Sequence, residues 1–463
     1  MSTRKFIKRM ILSFVVVLLA AVGWYCWRSF PLISGYAAKN VCSSVFLQGR
    51  DVASVKKEEL GDFPKSLASI IVDMKDSSVT ATVFGLAKRK AIFRKGLGAT
   101  LVNDITEKEL RAQNLFIVPA LPLANIDLPF PQGEKKEDSL PAALDAAKLQ
   151  QAVDYAFAKK QEGITSDVLT RAVLILYDGK LVTEKYADGF NSQTPMLGWS
   201  MAKSITGTLV GILVNQGKLK TDQAAPVKEW ENASDKRHAI TLEDLLQQTS
   251  GLRFRESYTG FSEVTNMLFN KGDMAAYTAS LSLQHTPGSF FNYSSGNSNI
   301  LSRIIRTTVG ENDYHAFPYR ALFYKLGMFN TIMEPDASGT FVGSSYIYST
   351  ARDYARFGLL YYQDGTWNGE RLLPEGWVKK TQQPPASNPY KNYGYQWWLN
   401  GSDEKDINKK AYPGIPDDMY YADGYAGQDI YIIPSKKLVI VRLGVNGMDE
   451  DGFLRKVVAA VRN

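Results

Sequence analysis

The segment Leu197–Leu219, "LGWSMAKSITGTLVGILVNQGKL", decides how this chain is to be read. It sets Ser200 three residues ahead of Lys203, at the head of a long apolar-periodic run. Residues three apart share a face of a helix, so the lysine stands one turn on, beside the serine. A serine hydroxyl is a poor nucleophile at neutral pH and needs a base. The neighbours of Lys203 are mostly apolar or small. In a dry site its ammonium is destabilised and its pKa falls, leaving an amine that can take the hydroxyl proton. The helix amino terminus adds spare N–H groups for a developing oxyanion. The same spacing also fits an N-capping serine followed by a snorkelling lysine. Ser-x-x-Lys recurs at Ser2/Lys5 and Ser54/Lys57, where charged neighbours argue for plain surface.

The rest of the chain narrows the chemistry. Its 463 residues, 45% hydrophobic, suit one large domain plus something smaller. Part of the formal charge of +7 sits in the first nine residues, and no basic stripe with interleaved aromatics follows. Nucleic-acid binding is therefore not expected. Cys26 and Cys42 are too few for a disulfide scaffold or a zinc cluster. Cys42 reads as a buried structural cysteine. His238, His285 and His315 form no HExxH and no metal trio. Without a Walker loop or dinucleotide fingerprint, no metal and no cofactor are expected. Any enzyme here works largely without histidine.

The amino end reads as topology. "MSTRKFIKRM" is basic, and Met10–Trp27 holds no charge, at the short limit for a membrane helix. Arg4, Lys5, Lys8 and Arg9 favour a cytoplasmic amino terminus, with Trp24, Tyr25 and Trp27 as an interfacial belt at the far side. A cleaved signal peptide has a similar layout. No small-x-small site closes the stretch, which favours a retained anchor. Either way the bulk of the chain is expected outside the cytoplasm, at the periplasmic or cell-surface side.

Beyond a basic tip and anchor (1–30), residues 40–125 alternate like strands in "ASIIVDMKDSSVTATVFGLAKRKAIFRKGLG", with a short helix at "DITEKELRAQ". Residues 126–140, rich in proline and charge, read as a linker. The main domain, 141–463, opens with an amphipathic helix and a hairpin turning at Asp178-Gly179. It closes with a hairpin turning at Pro434-Ser435 and a helix. That order predicts an α/β fold of the α+β type: an antiparallel sheet flanked by helices, with an inserted helical subdomain.

Two further stretches carry polar groups suited to a site. "SFFNYSSGNSNILSRII" places Tyr293 and Ser295 just before a helical pattern, and "YADGYAGQDIYIIP" places a glycine-rich loop before a strand. Each alone also fits an ordinary turn. In order, Ser200–Lys203, Tyr293-Ser294-Ser295 and Tyr425-Ala426-Gly427 resemble the three motifs of the penicillin-recognising serine hydrolases. That superfamily holds class C β-lactamases, DD-peptidases and related esterases. The likeness is nearest to the 6-aminohexanoate-dimer hydrolase branch, in "QQTSGLRFRESY", "YSTARDYARFG", "YGYQWW" and "GYAGQDIYIIPSKKLVIVRLG". It covers about 141–463.

The resemblance implies a β-lactamase/transpeptidase-like fold and acyl-enzyme chemistry on a small-molecule or peptide-like amide or ester. It makes Ser200 the nucleophile, Lys203 its base and Tyr293 a partner in proton transfer. Backbone N–H groups of Ser200 and of Gln428, or of a neighbour on that strand, form the oxyanion hole, with Gly427 allowing close backbone approach. It also fits Tyr258 to a tyrosine that touches the substrate amide, a residue that reads equally as a packed aromatic; Glu256 beside it is a candidate to bind a substrate amine. Tyr425 stands where β-lactamases and peptidases have Lys or His, and Ser295 stands in place of Asn. Both departures weigh against strong β-lactam turnover. A D,D-peptidase or transpeptidase, and an inactive envelope binding protein on the same scaffold, are the alternatives.

Overall fold

A computed structural model describes residues 3–113, 119–122, 126–136 and 139–462, with side chains from Ile7 onward. Parts of the expected 40–125 and 126–140 segments (114–118, 123–125 and 137–138) thus lie outside the described residues, as do Met1 and Ser2. The chain clusters into two compact units. The smaller comprises Met1–Lys95, Ala99–Arg111 and Arg255–Gly272; the larger comprises Gly96–Gly98, Ala112–Phe254 and Asp273–Asn463.

In the smaller unit, helix α1 runs unbroken from Thr3 to Phe46. It is exposed through its apolar first part, with Trp27 at 79%, and then turns into a core element, with Ala37, Ala38, Val41 and Cys42 all at 0%. The expected anchor is therefore the first half of a helix whose second half belongs to a folded unit. Its partner is a four-stranded sheet in the order β1 (Ala68–Asp73), β2 (Ser78–Val83), β3 (Leu86–Arg94), β4 (Gly98–Leu101). The helix lies along β3: the Ser34 hydroxyl donates to the Ala87 carbonyl at 2.5 Å, and Phe46 stacks on Phe93 at 5.8 Å. Cys42 is buried against the Ala91 carbonyl at 3.7 Å. Sixteen residues of helix, about 24 Å at 1.5 Å per residue, separate Cys26 from Cys42, and both are free thiols. The unit also takes in Arg255–Gly272, which the sequence reading kept within 141–463. The Glu263–Asn270 helix, capped by Ser262, packs on α1, where Tyr36 meets Phe269 edge-on at 5.7 Å.

The larger unit runs, in chain order, α2 (Ala146–Phe157), β5 (Thr170–Tyr177), β6 (Lys180–Tyr186), α3 (Met201–Asn215), α4 (Ser295–Val309), α5 (Ala351–Tyr362), β7 (Trp398–Leu399), β8 (Tyr420–Gly424), β9 (Gln428–Ile433), β10 (Leu438–Gly444) and α6 (Glu450–Ala459). The strands form one antiparallel sheet, β7-β8-β9-β10-β5-β6, so the first and last hairpins of the domain meet at its centre. Strand side chains alternate between faces, and here both faces are dry. Ala172, Leu174 and Leu176 of β5 join α3, α4 and α5 in one core; Val173 and Ile175 join α2 and α6 in the other. This is the layered arrangement that the helix–hairpin order implied.

The described part of the expected linker, 126–136, has partners in the main domain. Phe130 is buried in the main core, and Arg356 donates to the carbonyls of Pro131 (3.0 Å) and Gly133 (2.8 Å). Glu134 pairs with Arg352 at 2.6 Å and Arg356 at 2.8 Å. Proline and charge suggested solvent, but Arg352 and the buried Arg356 of α5 supply the partners.

Helix α5 approaches the sheet closely because Gly358 has no side chain. A Cβ there would stand 2.7 Å from Val439 and 2.8 Å from Ile430. Gly358→Val should therefore lower stability by about 1–3 kcal/mol, the usual cost of overpacking, and reduce the thermal midpoint. An unchanged midpoint in a melting experiment would contradict this packing.

Candidate active site

Ser200 occupies the N-cap of α3 with φ −67° and ψ −9°, and its side chain makes no capping hydrogen bond. The plain reading of an N-capping serine therefore does not hold. The hydroxyl is presented by a tight turn in which Trp199 adopts φ +47°. A positive φ is uncommon and costly for a bulky residue. The turn is tied down by the Gly198 N–H donating to the Ile347 carbonyl at 2.9 Å.

Lys203 does not snorkel. It is 1% exposed, and its Nζ lies 2.8 Å from Ser200 Oγ, 3.0 Å from Ser295 Oγ and 3.2 Å from the Ser344 carbonyl. The Tyr293 ring sits 4.7 Å from the same nitrogen. Tyr293 is itself held by Tyr393, edge-on at 5.5 Å, and Trp398 at 5.1 Å. The first two sequence motifs thus converge on one buried nitrogen.

The scaffold explains the other stretches. The start of α4, which carries Ser295, is pinned by "QQTSG": the Ser294 N–H donates to Gln248 Oε1 at 3.2 Å, and Ser250 donates to Asn297 at 2.8 Å. Gln396 of "YGYQWW" ties two helices together. Its carbonyl accepts from Ser204 on α3 at 2.7 Å, and its side chain accepts from Ser298 on α4 at 2.6 Å.

The third motif turns between β8 and β9, with Ala426 at φ +66° and Gly427 at φ +75°. Arg442 of β10 braces it from behind, donating to the Gly427 carbonyl at 2.6 Å and the Ala426 carbonyl at 3.2 Å. A Cβ on Gly427 would collide with that guanidinium, so Gly427 is required by packing. A Cβ on Gly424 would collide with the Gly198 carbonyl, which places the third motif against the Ser200 turn. The Gln428 side chain pairs with the Gly444 backbone (2.6 and 3.2 Å), so any part it takes in the site falls to its backbone. Tyr425 is 53% exposed and rests edge-on against Trp199 at 5.7 Å.

Glu256 and Tyr258 lie in the smaller unit, where the Tyr258 hydroxyl donates to Glu256 at 2.9 Å. The histidines are engaged elsewhere. His238 bonds the Trp230 carbonyl (2.9 Å), His285 stacks on Phe290 (4.2 Å), and buried His315 bonds the Gly339 carbonyl (2.8 Å). Sequence reasoning missed Trp199, Ser344, Gly424 and Arg442. Only Arg442 left a readable signal, a lone charge inside the apolar run "LVIVRLG".

Acidic groups lie close by. Asp423 on β8 and Asp429 on β9 are direct cross-strand partners. Burial, then the charge of Glu450, pushes Asp423 up to about 7, against the opposing pull of Lys203. Asp429, fully buried, is raised by burial and by the charges of Glu450 and Asp423.

A family model described as Beta-lactamase matches residues 151–460. The 6-aminohexanoate-dimer hydrolase of Paenarthrobacter ureafaciens is 26% identical over 301 residues, covering 60% of this chain and 73% of that protein. A solved Bacillus anthracis protein assigned as a 6-aminohexanoate-dimer hydrolase superposes with TM-score 0.54 at 23% identity, covering 66% of this chain and 83% of the other. A class C beta-lactamase superposes with TM-score 0.52 at 15% identity, covering 70% of this chain and 99% of the other. At such identities the structural likeness shows the fold alone: a β-lactamase/transpeptidase-like arrangement.

The acid pair yields a pH test. A carboxyl raised above its unfolded pKa keeps a proton that the unfolded chain has released, so stability falls as pH rises from about 4 through neutrality. Asp429→Asn keeps the shape and removes the charge. It should flatten that decline, with the larger gain in thermal midpoint at pH 8 than at pH 5. Equal midpoint shifts at the two pH values would show that the pair does not titrate in this range.

Proposed function

Since the chain belongs to the beta-lactamase family, we propose that it is a membrane-anchored serine hydrolase that cleaves amide or ester bonds through an acyl-enzyme on Ser200. The observation that carries this reading is the 2.8 Å approach of buried Lys203 Nζ to Ser200 Oγ. In the proposed cycle the neutral amine takes the hydroxyl proton as Oγ attacks the substrate carbonyl. Backbone N–H groups of Ser200 and Gln428 receive the oxyanion. The proton then passes to the leaving amine or alcohol through Lys203 and Tyr293, whose ring borders the same nitrogen. Water, deprotonated by the same pair, hydrolyses the ester on Ser200 and restores the start. Tyr258 and Glu256 are proposed substrate contacts for the amide and an amine.

The substrate class follows from the third motif. Exposed Tyr425 offers an aromatic face where a cation would hold a carboxylate, and Ser295 is directed at Lys203. Neutral amides or esters suit this better than β-lactams or a carboxylate-terminated peptide stem, which weighs against the D,D-peptidase reading. The named activity of the Paenarthrobacter relative, hydrolysis of a 6-aminohexanoate dimer, is chemistry of the same kind. Intact Ser200, Lys203 and Tyr293 weigh against an inactive binding scaffold.

Retention of the anchor is supported by the burial of α1 beyond residue 29. Cleavage within 30–40 would remove part of the smaller unit's core, including Leu32, Ala37 and Ala38. Arg4, Lys5, Lys8 and Arg9 then place the amino terminus in the cytoplasm and the catalytic unit outside it.

Ser200→Ala should abolish fluorophosphonate labelling and ester hydrolysis. Lys203→Ala should slow acylation at least about 10²-fold, the scale of a lost general base. Tyr293→Phe should also be slow, whereas Gln in place of His238, His285 or His315 should keep most activity. Intact-protein mass spectrometry after a slow acylating ester decides. An adduct on another residue, or an equal adduct on Ser200→Ala, would end this reading.

β-Lactam turnover should be far poorer than hydrolysis of a p-nitrophenyl ester. Comparable kcat/KM for a cephalosporin and the ester would refute the role given to Tyr425. Slow acylation without turnover would not, because it needs only the shared nucleophile.

A further inference from the structure

Among the described residues, the smaller unit exposes large apolar side chains beyond α1 at Phe63, Ile71, Met74, Phe84 and Leu86, and the last two share one hairpin tip. The hairpin tip joining β2 and β3 carries Phe84 at 70% and Leu86 at 61% exposure. The loop has two residues, Phe84 and Gly85, since Val83 pairs with Leu86. Both have positive φ, +51° and +74°. Turns of that kind favour Asn-Gly, because a side chain at positive φ is crowded. A phenylalanine there does not serve the turn, and at 70% exposure it buries little beyond its edge contact with Phe30.

Its position relative to α1 gives the reason. Along the helix, Phe30 meets Phe84 at 5.8 Å, Ser34 bonds the Ala87 carbonyl, Cys42 reaches Ala91 and Phe46 stacks on Phe93. Strand and helix therefore run side by side, with the hairpin tip at the level of Phe30. Trp27, the last aromatic of the expected belt, is three residues earlier, or about 4.5 Å of helix rise. At the same level the Arg28 guanidinium lies 4.1 Å from the Phe261 ring, and Gly260 adjoins Tyr25. The opposite turn, with exposed Met74 and Lys75, is near the Phe46 end, because Ser78 pairs with Ile92, so it is the level along α1 that sets the two turns apart.

We propose that the Phe84-Gly85-Leu86 hairpin tip is a second membrane contact, inserted into the interfacial layer of the same bilayer that α1 crosses. Phe and Leu at the tip followed by exposed Lys88 is the composition that seats in an interface: apolar groups below the headgroups, an ammonium among them. Two contacts fix the smaller unit's orientation about the helix axis, which one helix alone leaves free. The Ser257–Phe261 loop, with Tyr258, is then held at the membrane surface. The inference rests on the retained anchor proposed above.

Site-directed spin labelling tests it on the full chain reconstituted in phosphatidylcholine/phosphatidylglycerol liposomes. In a Cys26→Ser background, with buried Cys42 left in place, single cysteines replace Phe84, Leu86, Lys75 or Leu18, and each carries a nitroxide. The label at 86 leaves Phe84 native, so the reading does not hang on one variant. Labels at 84 and 86 should collide with oxygen more, and with aqueous nickel chelate several-fold less, than the label at 75. The label at 18 should be fully within the bilayer. Aqueous labels at 84 and 86 with a buried label at 18 would overturn the hairpin contact and leave the anchor standing. An aqueous label at 18 would overturn both. Phe84→Asn separates folding from membrane contact. It should keep or raise the thermal midpoint, and a marked fall would mean that the phenylalanine serves the fold.

Discussion

The burial of one ammonium group organises the larger unit. Removing a lysine head from water costs several kcal/mol unless polar partners replace the lost solvation. The partners of Lys203 include oxygens of Ser200, Ser295 and Ser344. They come from the head of α3, the head of α4 and the segment before α5, which are far apart in sequence. The site exists only when all of these are in place. The proposed role of Lys203 as a base draws on the same enclosure.

Much of the surrounding structure serves to hold those oxygens. Trp199 is kept at a strained φ so that Ser200 faces the lysine rather than capping its own helix. Ser344 is fixed by its N–H donating to Asn299 at 3.3 Å, and the adjacent Gly343 carbonyl accepts from Thr206 at 2.8 Å. Arg442 performs the same task for the third-motif turn from the rear of the sheet. In each case a buried polar group is satisfied by backbone, which keeps a polar interior from becoming a liability.

The smaller unit shows a different economy. One helix provides an exposed apolar segment and then the core of a folded sheet. No flexible joint separates the two functions. The sheet and the Tyr258 loop are thus set by the helix rather than by a tether, and the proposed anchoring would carry both with it.

What the sequence determined by itself is what depends on local period and order. Short apolar runs made the β5 and β10 strands legible, and Asp178-Gly179 marked the turn from β5 into β6. The helix–hairpin order gave the layered antiparallel architecture, because a two-faced sheet needs helices on both sides. Three ordered motifs named Ser200, Lys203 and Tyr293. Tertiary structure alone decided that Lys203 is buried rather than snorkelling, since apolar neighbours fit either outcome until Ser295 and Ser344 arrive. It alone recruited Ser344 and Arg442, which carry no local pattern. It gave Trp199 a backbone angle that no propensity favours. It packed Pro131–Glu134 of the expected linker against Arg356, and moved Arg255–Gly272 into the smaller unit. All of these are long-range pairings. A local sequence window states what a residue prefers, while the partner that overrides the preference lies elsewhere in the chain.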